Sequence, residues 1–230
     1  MNGGVLIIGS LYWENKDNAL DEAQGLRRSE WRKDLDFSKK IQVNVPILYG
    51  RKSQFRKETY TMTFSTSHNL GTAFIVPYKN SITSFEDLKN QAIKLSWAEG
   101  ISSKTKPNIL FVNWGVVGVF FKETVEKNYI SEWNNEFLTF ENEKFKFNNE
   151  DPSILKNGQL NFKVRLPAGI DYVFATPTAA FPGDFPTPQI IADAIINSKY
   201  DTYFNENYNN QIRTSEDEEI KSLINKTMKV

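Results

Sequence analysis

Residues 71–100 read GTAFIVPYKNSITSFEDLKNQAIKLSWAEG, and the fold class turns on them. Gly71 to Val76 is short, apolar and rich in strand-forming residues, and Pro77 ends it by withholding an N–H from any ladder. Thr83 then opens a helix. Glu86 follows at capping-box spacing, Leu88, Ala92 and Leu95 recur on one face, and Gly100 stands just past the last periodic position as a C-cap.

Toward the N-terminus, Val5-Leu6-Ile7-Ile8 is a continuous apolar run closed by Gly9-Ser10, the pattern of a strand buried on both faces. Val43, Val45 and Ile47 alternate with polar residues, and Pro46 places their strand at a sheet edge or near its own end. Tyr60, Met62 and Phe64 alternate with Thr59, Thr61, Thr63 and Ser65, predicting a half-buried strand. Between these segments, residues 14–40 are polar, with one short helix expected from Ser29 to Leu35.

Toward the C-terminus, Ile109 to Phe121 predicts one long bent strand or two, with Gly115 and Gly118 allowing a bulge. Residues 122–161 turn rich in Asn, Glu and Lys with interleaved Phe and Trp. Phe145 and Phe147 alternate with Lys144 and Lys146, the pattern of a hairpin within an elaboration of the main domain. Phe162-Val164-Leu166 and Asp171 to Ala175 read as strands. Thr187 with Pro188 starts a helix, and Ser215 with Glu218 forms a second capping box before Ile220. Strands come first and helices follow irregularly, so the chain is α+β, a single domain over 1–230 without internal repeat or long linker.

Composition narrows the function classes. Lys and Arg together number 28, matched by 28 Asp and Glu, so no global field selects nucleic acid or an anionic membrane. No apolar run reaches the ~20 residues of a membrane span, and no signal peptide is read at the start, so a cytoplasmic protein is expected. Zero cysteines exclude disulfides, Cys–zinc sites and thiol catalysis, and one histidine, His68, excludes His-rich metal sites. Locally, Arg27, Arg28, Arg32, Lys33, Lys39, Lys40, Arg51, Lys52, Arg56 and Lys57 form a basic run. It reads as a solvated face or as an anion-attracting rim suited to a small carboxylate, and it carries no nucleic-acid-binding signature. Trp97, Trp114 and the many Phe residues read as core.

Glu99 is the residue with the sharpest chemical reading. It follows Leu95 at i+4 and Leu88 at i+11, and eleven steps of roughly 100° return nearly to the starting azimuth. A carboxylate thus projects from the apolar face at the helix's last turn, where the macrodipole opposes an anion, or lies in water where the helix frays before it. The apolar setting suits a general base or acid. Gly9-Ser10-Leu11-Tyr12 is the second motif, because small residues at a strand end let backbone N–H groups face a ligand carboxylate or a developing oxyanion. The phosphate-loop pattern G-x-x-x-x-G begins at Gly4, but the lysine that must follow it is missing, which rules out a nucleoside triphosphatase.

Taken together, Leu6-Ile7-Ile8-Gly9-Ser10-Leu11, the strand Gly71 to Val76, the helix through Leu88 and Leu95 to Glu99-Gly100, and the strand from Ile109 resemble the gamma-glutamylcyclotransferase superfamily over about residues 5–120. The resemblance implies a small mixed, strongly twisted β-sheet or barrel with flanking helices. It further implies that Glu99 is the catalytic base and that Gly9, Ser10, Leu11 and Tyr12 bind substrate. The implied reaction is intramolecular amide cleavage of a gamma-glutamyl amine or peptide, releasing 5-oxoproline without a cofactor or metal. A non-catalytic member of the same fold, binding a small acidic ligand or a protein, is the alternative.

Overall fold

The computed structural model describes residues 1–67, 69–148, 150–181 and 183–227; His68 lies outside them. Among the described residues, eight strands are formed: β1 (Gly3–Ile7), β2 (Ile41–Ser53), β3 (Thr59–Phe64), β4 (Leu70–Pro77), β5 (Phe111–Val112), β6 (Gly115–Val116), β7 (Gly118–Phe121) and β8 (Tyr172–Ala175). The helices are α1 (Glu22–Trp31), α2 (Phe85–Glu99), α3 (Lys127–Asn135), α4 (Pro188–Ser198), α5 (Thr202–Asn209) and α6 (Asp217–Thr227). Six strands form one strongly curled half-barrel in the order β3-β2-β4-β1-β8-β7, and β5 and β6 make a separate hairpin. The sheet is mixed, since β1 runs antiparallel to β4 and parallel to β8.

The curl has a visible cause in β2, which changes partner along its length. Ile41 to Pro46 pairs with β4, and Ile47 to Ser53 pairs with β3. Pro46 is therefore inside a long strand, at the handover, rather than at an edge or end. A residue without an N–H is tolerated where one ladder gives way to the next. Beyond it, the register shifts between Tyr49 and Arg51, so Gly50 is an extra residue and the strand bulges. Strand β3 is buried on both faces rather than one: α4 packs against it, and Thr63 Oγ1 donates to the Thr178 carbonyl at 2.9 Å.

The helix α2 lays Leu88, Ala92, Leu95 and Ala98 into the core, as the apolar stripe requires. Its start lies one residue later than the sequence predicts. Ser84 is the N-cap and forms the box with Asp87, whose carboxylate also accepts from the Thr83 N–H and hydroxyl. Gly100 closes the helix at φ +83°, a left-handed conformation that favours glycine.

Several expectations need correction. The helix in the polar N-terminal stretch is α1, from Glu22, capped by Asp21; Gly25 and sparse apolar periodicity hid it. Gly25 is needed there, because a Cβ would sit 2.5 Å from the Asn15 carbonyl oxygen. Ile109 to Phe121 forms three short strands, β5 to β7, instead of one or two long ones. Phe145 and Phe147 form no hairpin. Both are buried in a stretch of single-turn helix and coil, so their alternation reflects aromatic anchoring. Phe162, Val164 and Leu166 form no strand either, although Phe162 stacks on Phe64 with ring centroids 4.6 Å apart. The last helix is opened by Thr214 bonding Asp217, not by Ser215 with Glu218. Residues 122–161 contribute Trp133, Phe137, Phe140, Phe145 and Phe147 to the core.

Candidate functional site

The end of β1 delivers the first wall of a cavity of about 350 Å³. After Ile7 the chain turns, with the Tyr12 N–H donating to the Gly9 carbonyl at 2.9 Å and the Glu14 N–H to the Ser10 carbonyl at 2.8 Å. Gly9, Ser10 and Leu11 all line the cavity. A side chain at Gly9 would press on Tyr203, since its Cβ would sit 2.5 Å from the Tyr203 hydroxyl. Tyr12, expected with the loop, does not belong to this wall. Its ring stacks on Phe74 at 5.2 Å and meets Phe37 edge-on, and Lys40 donates to its hydroxyl. Apolar partners on the outer side hold it there.

The end of α2 delivers the second wall. Glu99 is the final helical residue, 17% exposed, and its carboxylate faces the same cavity. The last carbonyls of a helix lack internal partners and carry partial negative charge. No basic residue occupies the last turn of α2. The neighbouring α1 supplies what is missing: Arg28 Nε donates to the Ala98 carbonyl at 3.3 Å and Gln24 donates to the Glu99 carbonyl at 3.2 Å. Arg28 Nη2 also reaches the Glu99 carboxylate at 3.3 Å. One guanidinium thus stabilises both the helix end and its terminal side chain.

Behind this wall lies a charged network that sequence reasoning missed. Glu14 is 1% exposed and sits between Arg28 and Arg56, with Arg56 Nη2 at 3.0 Å and Arg28 Nη1 also in contact. Ser10 Oγ accepts from both guanidiniums, at 3.0 Å from Arg28 and 3.1 Å from Arg56. Arg56 also donates to the Tyr200 hydroxyl at 3.1 Å and lies over the Tyr203 ring at 4.7 Å. Arg32 clamps the loop from outside, donating to the carbonyls of Leu11 and Glu14 at 2.6 Å each. Burial lowers the pKa of Arg28, with the Glu99 charge opposing the shift, and pushes Arg32 down to about 10.

The basic run therefore does not behave as one solvated face. Arg27, Arg28, Arg51 and Arg56 all contribute to the cavity, Arg27 and Arg28 from α1, Arg51 from the end of β2 and Arg56 from the turn that follows it. Trp114 also lines the cavity, correcting its reading as core. The basic spacing was the one available signal for these arginines; nothing local marked Glu14 or Tyr203. Among the described residues, no group of three or more His, Asp or Glu is placed to hold a metal ion. No helix among the described residues is long and apolar enough to cross a membrane. No protein-family model, curated protein or solved structure matches this chain.

Proposed function

We propose that the chain is an amide-cleaving cyclotransferase of the gamma-glutamylcyclotransferase type, acting on a gamma-glutamyl amine or peptide. One observation carries this reading: Glu99 and the Gly9–Ser10 turn share a cavity, with Arg28 linking the Glu99 carboxylate to Ser10 Oγ. A carboxylate beside a guanidinium is complementary to the ammonium and carboxylate of an α-amino-acid head group. Glu99 takes a proton from the α-ammonium, and the freed amine attacks the γ-carbonyl. A C–N bond closes the 5-oxoproline ring while the γ-amide C–N bond breaks. Ring closure releases a second proton from the attacking nitrogen; the leaving nitrogen takes up the two protons lost by the α-ammonium, one of them by way of Glu99, and departs as an ammonium. The Gly9–Ser10 turn and its nearby arginines provide the polar wall for the substrate's carboxylate and the developing oxyanion.

Mass-spectrometric detection of 5-oxoproline from a panel of gamma-glutamyl compounds tests the proposal, with Glu99→Gln as the inactive comparison. The Arg28–Glu99 ion pair favours a second reading, in which the carboxylate is structurally engaged and the cavity only binds a small acidic ligand. Saturable binding of a gamma-glutamyl compound with no 5-oxoproline formed would select that alternative.

A further inference from the structure

Arg51 differs from Arg28 and Arg56, the two cavity arginines paired with buried carboxylates. Arg28 and Arg56 are neutralised by Glu14, and Arg28 also by Glu99. Among the described residues no carboxylate forms an ion pair with Arg51, on which Glu99 acts only at longer range. Its guanidinium lies over the Trp114 ring, 4.8 Å from the centroid. Such a contact offsets only part of what it costs to bury a cation, and Arg51 is half-buried. Burial lowers the pKa of Arg51, consistent with a cation held without its counter-charge.

The arrangement is built by three separated stretches of chain. The bulge at Gly50 redirects β2 just before Arg51. Trp114 lies in the turn between β5 and β6, where its carbonyl accepts from the Ala179 N–H at 2.9 Å. The segment 176–181 joins the two: the Val116 N–H donates to the Pro177 carbonyl at 3.1 Å, and the Lys52 N–H to the Phe181 carbonyl at 2.9 Å. Thr178, in the middle of that segment, lines the cavity, and its buried hydroxyl oxygen has no hydrogen-bond partner among the described residues. An unpaired cation, a flat aromatic support and an unsatisfied hydroxyl thus line the same cavity.

We infer that Arg51, Trp114 and Thr178 form a binding site for the oxyanion group, carboxylate or phosphate, of a small-molecule ligand. The guanidinium would take two of its oxygens in a fork, and the Thr178 hydroxyl would donate to one of them. This site binds its anion whether or not Glu99 performs proton transfer, so its test uses binding alone. Inorganic phosphate and glutarate are titrated separately into the full chain, followed by calorimetry and by tryptophan fluorescence. Saturable one-to-one binding of phosphate, of glutarate or of both is expected, and the stronger of the two identifies the ligand's anion. Arg51→Gln should weaken it by about tenfold or more, and Arg51→Lys by less, because a point charge replaces the fork. Thr178→Val provides a second, milder variant and should weaken binding about threefold. Lys39→Gln, at an exposed lysine outside the cavity, should change nothing. The inference is overturned if neither anion binds saturably, or if binding survives Arg51→Gln in a protein whose circular dichroism and melting match wild type. Loss of 5-oxoproline formation in Glu99→Gln, with phosphate or glutarate binding intact, would leave the two readings separately judged.

Discussion

Glu99 and Glu14 are both glutamates in contact with Arg28, yet their surroundings assign them different work. Glu99 opens on the cavity, whereas Glu14 lies behind the wall with two guanidiniums against it. If Glu99 is the base, Glu99→Gln keeps the side-chain shape while removing the proton acceptor. Turnover should then fall by ~10²–10⁴ with little change in KM, read from initial rates of 5-oxoproline release. Glu14→Gln should act on stability instead. It leaves Arg28 and Arg56 buried without their shared counter-charge, for an expected loss of about 3–5 kcal/mol in denaturant titration. A loss below about 1 kcal/mol would show that water or other groups can replace that carboxylate. Gly9→Val directs its new atoms at the Tyr203 hydroxyl, and overpacking of this kind costs about 1–3 kcal/mol. The same variant should abolish calorimetric ligand binding by filling the turn; unchanged binding would remove the Gly9–Ser10 turn from the site.

At the level of elements, α2 and α6 show two ways in which a helix depends on its setting. The core stripe of α2 includes Leu95, which is fully buried, so Leu95→Ala should cost ~2–5 kcal/mol in chemical denaturation. The start of α6 has a pH dependence of its own. Asp217 is buried, and burial raises its pKa from 3.8 to about 7, against the lowering effects of the Thr214 hydrogen bonds and Arg213. One carboxylate oxygen bonds the Thr214 N–H, and the other is buried without a partner. Between about pH 4 and about pH 7 the folded protein holds a proton there that the unfolded chain has released. Raising the pH through this window therefore lowers stability, by an amount on the order of a few kcal/mol. Asp217→Asn keeps the acceptor for Thr214 and carries no charge. It should flatten the melting temperature across that window, and an unchanged slope would mean that other groups set the pH dependence.

Across the whole molecule, the site is assembled from segments far apart in the chain. Trp13 Nε1 donates to Asn207 Oδ1 at 2.7 Å, a contact spanning 194 residues, while Tyr200 and Tyr203 receive Arg56. The C-terminal helices thus complete a wall that begins with the first strand. Asn207→Leu should leave the buried Trp13 N–H unpaired, costing about 1–3 kcal/mol by denaturant titration. It should also weaken ligand binding, because Tyr203 on the same helix lines the cavity. Stability and binding that both match wild type would show that this long-range contact does not support the site.

What the sequence determined by itself lay in local periodicity and capping. The apolar run of β1, the strand Gly71 to Val76, the stripe of α2 and the stop at Gly100 all follow from side-chain spacing and backbone freedom within a few residues. From these came the α+β class and the placement of Glu99 and Gly9–Ser10 at element ends. Only the tertiary structure decided the rest. Pro46 could be interpreted only with both partners of β2 present, and α1 was obscured by a glycine that the close approach of the Asn15 carbonyl requires. The same limit separated the arginines of one basic run: Arg28 and Arg56 found buried carboxylate partners, Arg51 found an indole, and Lys39 remained exposed. Charge spacing along a chain records only that cations are present. Whether each is desolvated, and what faces it, depends on segments that meet only when the sheet has curled.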